Sequence, residues 1–278
     1  MTFAAAGRMA LEYYPCRYGA SRTDFRGPRR PLEGTFVACI GGTETYGRFM
    51  PEPYPVLLER ATGRPCVNFG GINAGLDLYL KDPAILGVLA GARVVVMQVM
   101  GAQNMSNRFY AVHPRRNDRF LRASERLQEL FPEVDFTEFH FTRHMLVRLH
   151  DLCPARFGTL VEELRLSWVA RMKHLLAMLP GSVVLVWLAD HLPGSGDGVE
   201  AGDPLFVTPE MLETVRPRVS DLVTIVPAAE SRQANRSDLV FTEFEAAAAA
   251  EMLGSAAHAQ ATEALADVIR PLLTMPKT

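Results

Sequence analysis

Apolar residues along this 278-residue chain fall into short continuous runs separated by segments of helical periodicity. Two intervening segments, 54–62 and 76–90, predict helices, and Asp82-Pro83 restarts the second because the residue before a proline leaves the helical region. Alternating strands and helices are typical of a parallel sheet covered on both faces, so we expect one α/β domain over residues 1–278. The apolar runs predict five strands, at 35–40, 65–69, 93–99, 182–188 and 222–226.

The segment between the third and fourth predicted strands, residues 105–180, is too long for an ordinary crossover. Apolar residues at helical spacing predict helices over 117–131 and about 155–179, and the second keeps one apolar face. We therefore expect a largely helical insertion that caps one edge of the sheet.

Two helices are predicted at the end of the chain. Thr242 and Glu245 match a capping box in front of an alanine-rich helix, and Gly254 suits the C-terminal end of that helix. A last amphipathic helix is predicted over roughly 258–273.

Composition narrows the class of protein. With 48% hydrophobic and 22% charged residues, the chain is neither disordered nor fibrous. Its longest apolar runs, 94–100 and 183–189, are far below the roughly 18 to 20 residues that a membrane span needs. The first ten residues lack the features of a secretory signal, so the expected compartment is the cytoplasm. The four cysteines are widely spaced, which predicts structural thiols, with Cys39 and Cys66 in apolar stretches, rather than zinc ligands or disulfides. The glycine-rich segments lack the dinucleotide and P-loop spacings, so no cofactor is expected.

Charge is unevenly distributed along the chain. The formal net charge of -2 argues against a dedicated nucleic-acid binder, although a nucleic-acid surface made from two basic segments stays open as the lowest-ranked alternative. The sequence is compatible with an oligomer. The two segments are rich in arginine, namely Arg17, Arg22, Arg26, Arg29 and Arg30 near the start and Arg108, Arg115, Arg116, Arg119 and Arg122 in the middle.

A glycine-rich turn, residues 40–47, follows the first predicted strand. Ligands of parallel α/β sheets bind outside the carboxyl ends of the strands, where glycines let the backbone approach. Thr43 in this turn is therefore placed as a nucleophile or an anion ligand. The alternative is a tight turn in which the threonine caps the next segment.

Polar residues also follow the second and third predicted strands. Glycines and amides in 68–75 are able to present N–H donors to an oxyanion. Arginines after the third strand match carboxylate, phosphate or sulfate, unless they pair with Asp118, Glu125 and Glu133 on a solvated face. The candidate ligand-binding residues are Glu44, Asn73, Gln103, Asn107, Arg108, His113, Arg115, Arg116 and Arg119.

Histidines supply the candidate bases. His258 enters the last helix, a position that suits a general base, although a histidine on an alanine-rich helix is more often simply exposed. Glu44 and Glu230 are the carboxylates considered as its partners. Asp190 and His191 end the fourth strand as a second acid and base pair. His140 and His144, four residues apart, have the spacing of metal ligands but lack a glutamate between them.

Taken in order, these blocks resemble the SGNH (GDSL-type) hydrolase and esterase superfamily, which implies a flavodoxin-like three-layer fold. Residues 41–43 stand where that superfamily has its nucleophile turn, 68–75 and 101–104 where it has the oxyanion hole, and 255–258 where it has the acid and base. The sequence departs from the pattern, because Thr43 replaces the serine and Ser255 replaces the acid. Residues 14–19, 41–47 and 104–120 also resemble a bacterial family of unknown function.

The SGNH resemblance implies a hydrolase or acyl-transfer enzyme that acts on an ester or acetyl group of an anionic or carbohydrate substrate. It assigns the nucleophile to Thr43, the base to His258, and the oxyanion hole to Gly71 or Gly75 together with Asn104. The alternative is an inactive relative that holds a glycan, phosphate or protein partner through its arginine-rich surface.

Overall fold

A five-stranded parallel sheet forms the centre of the protein, in a computed structural model that describes residues 10–179, 181–195, 198–228 and 238–275. The strands in chain order are β1 (Val37–Gly41), β2 (Cys66–Gly70), β3 (Val94–Gln98), β4 (Tyr110–Val112), β5 (Phe120–Ala123), β6 (Ser182–Leu188) and β7 (Asp221–Ile225). The large sheet has the order β2-β1-β3-β6-β7, and every pairing in it is parallel. This order confirms the predicted flavodoxin-like α/β fold.

Helices cover both faces of the sheet, which gives the three layers. Ten α-helices lie in the described ranges: α1 (Thr43–Tyr46), α2 (Tyr54–Thr62), α3 (Asp77–Leu80), α4 (Pro83–Gly91), α5 (Glu125–Leu130), α6 (Thr142–Leu152), α7 (Pro154–Met178), α8 (Pro209–Val215), α9 (Ala246–Ala250) and α10 (Ser255–Thr274). None of these helices is both long and apolar enough to cross a bilayer.

Two apolar cores follow from the alternation of side chains along each strand. Ala38 and Ile40 of β1 enter the larger core, which α4, α7 and α8 cover. Val37 and Cys39 enter the second core, which lies under α2 and α10. Trp168 fixes α7 to the sheet edge, because its buried indole Nε1 donates to the carbonyl of Met100 at 2.7 Å. Because all five strands are parallel, their carboxyl ends lie on the same edge of the sheet.

The structure differs from the prediction in the insertion, where a helix was expected over 117–131. Residues 110–112 and 120–123 form an antiparallel two-stranded sheet, and only α5 is helical there. Ser124 explains the late start of α5, since its hydroxyl accepts a hydrogen bond from the N–H of Leu127 at 3.3 Å. The peptide N–H of Phe120 instead pairs with the carbonyl of His140.

The end of the chain follows the predicted pattern in part. The capping box of Thr242 and Glu245 is present, but a 3-10 turn at Glu243–Glu245 precedes the short α9. Gly254 is the residue before α10 and not the end of the alanine-rich helix. Glu230 lies outside the described residues.

Candidate functional site

The turn after β1 is closed by the side chain of a neighbouring strand. Gln98, the last residue of β3, accepts hydrogen bonds at its Oε1 from the N–H groups of Gly42 and Thr45, both at 3.0 Å. The hydroxyl of Thr45 donates to the same oxygen at 2.7 Å. Since these donors are used internally, the start of α1 is held by the fold and does not depend on a bound anion.

Thr43 belongs to a partly exposed polar group at this edge of the sheet. Its hydroxyl donates to Oδ1 of Asn73 at 3.2 Å and accepts from the N–H of Asn73 at 3.0 Å. Nδ2 of Asn73 donates in turn to the Asp118 carboxylate at 3.3 Å. We call Thr43, Asn73 and Asp118 the Thr43 cluster; all three residues are partly accessible to solvent.

His258 is buried, with 1% of its surface exposed, and it makes no hydrogen bond to Thr43. Its Nδ1 accepts from the N–H of Tyr54 at 3.2 Å, so the proton of the neutral ring sits on Nε2. Nε2 lies 3.4 Å from the Glu44 carboxylate, within ion-pair distance but without the alignment of a hydrogen bond. Glu44 also accepts from the N–H of Leu253 at 3.1 Å. The structure thus brings His258 to Glu44 rather than to the hydroxyl of Thr43.

The three predicted oxyanion donors all have acceptors inside the protein. The N–H of Gly71 donates to the carbonyl of Gly41 at 3.0 Å. The N–H of Gly75 donates to Oδ1 of Asn117, and Nδ2 of Asn104 donates to the carbonyl of Asn73, both at 2.9 Å. The N–H groups of Gly71 and Gly75 and one of the two Nδ2 hydrogens of Asn104 are therefore used within the fold.

Three further candidates after β3 have structural contacts. Oδ1 of Asn107 closes a turn by accepting from the N–H groups of Phe109 and Tyr110. The guanidinium of Arg108 pairs with the Glu163 carboxylate. Burial raises the pKa of Glu163, but Arg108 and the Ser167 hydroxyl lower it more, so the pKa lies below its ordinary value.

Gln103 is the third of these candidates, and it is buried. Its Nε2 donates to the Asp203 carboxylate at 2.7 Å. Its Oε1 is buried without a partner among the described residues. The side chain therefore connects the end of β3 to the segment that precedes α8.

Residues 113–119, which we call the arginine loop, present their cations to solvent. Nδ1 of His113 accepts from the N–H groups of Arg115 at 3.2 Å and Arg116 at 3.1 Å, which fixes the bend. Arg115 and Arg116 are exposed and pair with no carboxylate in the described part of the chain. Arg119 differs, since its guanidinium lies 4.0 Å from the ring centroid of Phe141.

Asn117 fastens the arginine loop to the glycine-rich loop after β2. Its side chain is buried, and its Oδ1 accepts from the N–H groups of Gly75 at 2.9 Å and Leu78 at 3.1 Å. Its Nδ2 donates to the carbonyls of His113 at 3.0 Å and Pro114 at 3.3 Å. Asn117 and the neighbouring Asp118 thus join the backbone of the arginine loop to the Thr43 cluster.

Residues that sequence reasoning missed hold this site together. Gln98 carried a visible signal, because it is the one polar side chain in the apolar run 94–100. Thr142 carried none; its hydroxyl donates to Oδ1 of Asn104 at 2.8 Å across 38 positions of sequence. Among the described residues, no group of three metal-ligating side chains occurs around His140 and His144 or elsewhere.

Comparison with known proteins adds a family match and distant structural similarity to solved proteins, of which a lipase is an example. A family model described as "Domain of unknown function (DUF6473)" matches residues 1–273. No curated protein matches the chain. The crystal structure of the lipase Lip_vut3 from a goat rumen metagenome is similar at 11% sequence identity and a TM-score of 0.36, covering 86% of this chain and 97% of the lipase chain. A similarity of this size transfers no activity.

Proposed function

The chain belongs to the DUF6473 family, and because the description of that family assigns no function, we propose one from the site itself. We propose that the protein binds a small anionic carbohydrate at the carboxyl edge of its sheet without breaking a bond in it. The observation that carries this proposal is the hydrogen bond from the Thr43 hydroxyl to Oδ1 of Asn73.

That hydrogen bond opposes a nucleophilic role for Thr43. A hydroxyl attacks a carbonyl only when a neighbouring base takes its proton, and an amide oxygen accepts hydrogen bonds without becoming such a base. The imidazole that would serve as the base is buried against Tyr54 and Glu44. Covalent chemistry at Thr43 would therefore need both side chains to leave their present partners.

The ligand class follows from the charges at the edge. The guanidinium groups of Arg115 and Arg116, which pair with no carboxylate among the described residues, favour a carboxylate, sulfate or phosphate. The Asp118 carboxylate beside them repels a bare anion but accepts hydrogen bonds from hydroxyl groups. A sugar that carries an acidic substituent satisfies both requirements, whereas a simple inorganic anion satisfies only the first.

The test is calorimetric titration with glucose 6-phosphate, with glucose and inorganic phosphate as comparison ligands. We expect glucose 6-phosphate to bind more tightly than either, and binding to weaken as salt is added. The double variant Arg115→Ala/Arg116→Ala should lose at least roughly tenfold in affinity, since each charged hydrogen bond contributes about 1.5–3 kcal/mol. The matched control is Arg22→Ala/Arg64→Ala, which removes two arginines that are exposed elsewhere. Equal losses in both double variants would reject the arginine loop as the binding surface.

A second candidate function is acyl hydrolysis by an SGNH-type mechanism. The contact between Glu44 and His258 favours it. Glu44 directly follows Thr43 in the sequence, so the carboxylate that contacts the imidazole belongs to the same turn as the Thr43 hydroxyl. This candidate predicts turnover of p-nitrophenyl acetate that disappears in Thr43→Ala and His258→Gln. It also predicts a faster Thr43→Ser variant, since loss of the methyl group frees the nucleophile. Such a pattern would overturn the proposal of binding without catalysis.

A further inference from the structure

Asp190 and His191 form an ordered carboxylate and imidazole pair at the carboxyl end of β6. Nδ1 of His191 lies 2.8 Å from Oδ1 of Asp190. An ionised carboxylate only accepts hydrogen bonds, so the ring donates through Nδ1–H and its lone pair lies on Nε2. Nε2 makes no hydrogen bond with the described part of the chain. The pair thus has the arrangement of a general base with its orienting carboxylate.

The imidazole is held in place yet reachable. Buried Trp187 donates from its indole Nε1 to the carbonyl of His191 at 2.7 Å, and the two rings meet edge to face with centroids 5.6 Å apart. The side chain of His191 remains 20% exposed and that of Asp190 50% exposed. Rigid backing on one side and access on the other are what a proton-transfer group needs.

The segment before α8 passes close to the pair and forms a wall beside it. A Cβ on Gly202 would lie 3.2 Å from Oδ1 of Asp190 and 3.4 Å from Cε1 of His191, so the backbone passes close to both side chains. The next residue, Asp203, accepts from Gln103 at 2.7 Å and from Arg143 at 3.3 Å. Arg143 also donates to the carbonyls of two residues of this segment, Val199 and Ala201. The wall is thus tied to the end of β3.

The pair is distinct from the Thr43 cluster. Strand β3 separates β1 from β6, so the two strand ends are about 10 Å apart from strand spacing alone. We propose that Asp190 and His191 constitute a second site, at which His191 is the general base for hydrolysis of a small ester by water and Asp190 is the residue that positions it. This activity is independent of the binding function proposed above.

The proposed step balances without a cofactor. Nε2 of His191 takes one proton from a water molecule, and the resulting hydroxide oxygen bonds to the carbonyl carbon of the ester. The bond from that carbon to the alcohol oxygen then breaks, and the departing alkoxide takes the proton from Nε2. The products are one carboxylic acid and one alcohol, and the imidazole returns to its starting tautomer with Nδ1–H directed at Asp190.

The test is hydrolysis of p-nitrophenyl acetate by the full chain. His191→Gln should reduce the rate above background by at least tenfold, because general-base catalysis typically contributes about 10²–10⁴. Asp190→Asn should reduce it as well, since an amide no longer selects the Nδ1–H tautomer. The control is His150→Gln, which removes another histidine next to an aspartate; that ring is more exposed and its Nδ1 is 3.5 Å from Asp151. A rate retained in His191→Gln, or no turnover above buffer in the wild type, overturns the proposal.

Two measurements distinguish loss of the general base His191 from misfolding of the variant and from catalysis at the Thr43 cluster. Nitrogen resonances of the imidazole should report Nδ1–H in the wild type and a tautomer mixture in Asp190→Asn, and an unperturbed mixture in the wild type would also overturn the proposal. Arg22→Ala, at an exposed position outside both sites, should retain the ester turnover that His191→Gln loses. Turnover lost in Thr43→Ala but retained in His191→Gln would overturn the proposal in favour of the SGNH-type mechanism. Failure of sugar binding would leave the role of His191 unaffected.

Discussion

Asn117 offers the sharpest test of how the arginine loop is built, through the substitution Asn117→Ala. The side chain is 1% exposed and makes four hydrogen bonds, two that it accepts and two that it donates. Alanine removes all four. The N–H of Gly75 then loses its acceptor in a buried place, whereas the N–H of Leu78 keeps the carbonyl of Gly75 at 3.2 Å. The carbonyls of His113 and Pro114 belong to residues that solvent reaches.

The expected loss of folding stability follows from this difference between buried and exposed groups. A buried donor left without a partner costs about 1–3 kcal/mol, and water replaces the partner of an exposed carbonyl at little cost. The buried N–H of Gly75 therefore predicts destabilisation of about 1–3 kcal/mol. For a chain of this size that corresponds to a decrease in Tm of roughly 2–12 °C.

Urea unfolding followed by circular dichroism measures this loss, and Asn107→Ala is the matched control. Asn107 also accepts two peptide N–H bonds, but it is partly exposed, so we expect a smaller cost. Calorimetry should in addition show weaker glucose 6-phosphate binding in Asn117→Ala, because the loop that presents Arg115 and Arg116 is released. If Asn117→Ala costs less than about 1 kcal/mol, or no more than Asn107→Ala, the account of how the loop is anchored is wrong.

Two further predictions concern the neighbouring elements. In Gly75→Ala the new Cβ would lie 1.8 Å from the carbonyl oxygen of Asn104, so we expect destabilisation by at least about 2 kcal/mol in urea unfolding, against no comparable loss for Gly87→Ala, where the space is open. Burial raises the pKa of Asp77, but Lys81, the Ser106 N–H and Arg171 together lower it below its ordinary value. Ionised Asp77 therefore contributes its full stabilisation of the fold above pH about 4, and this contribution is lost as the pH falls further. Asp77→Asn should flatten the decrease in unfolding free energy at acid pH. An unchanged dependence of stability on pH would contradict the assignment.

The strands were predictable because parallel strands buried on both faces appear in the sequence as continuous apolar runs. The predicted 182–188 coincides with β6, and the predicted 222–226 is displaced by one residue from β7. The pairing of β4 with β5 was not predictable from local pattern, since Leu121 and Leu127 also fit a helix and only contact with residues 110–112 decides between the two.

The grouping of candidate residues was predictable in part, and their contacts were not. Thr43, Asn73 and Asn104 follow apolar runs and lie together at adjoining strand ends, whereas their role as a site stays a prediction. The contacts of Thr43 and His258 depend on packing between segments that are distant in the sequence. Tyr54 and His258, for example, are more than 200 residues apart. The hydrolase activity that the resemblance to SGNH hydrolases implies therefore stays a prediction.

Gln98 also bears on how this protein is able to diverge. By closing the turn after β1 from within, it makes the shape of that turn independent of whatever occupies the edge of the sheet. The side chains of Arg115 and Arg116, in contrast, hold no other described residue in place. Under the proposed binding function, ligand preference and foldability therefore reside in different residues, and substitutions in the arginine loop would redirect the protein to a new ligand while the scaffold beneath remains intact.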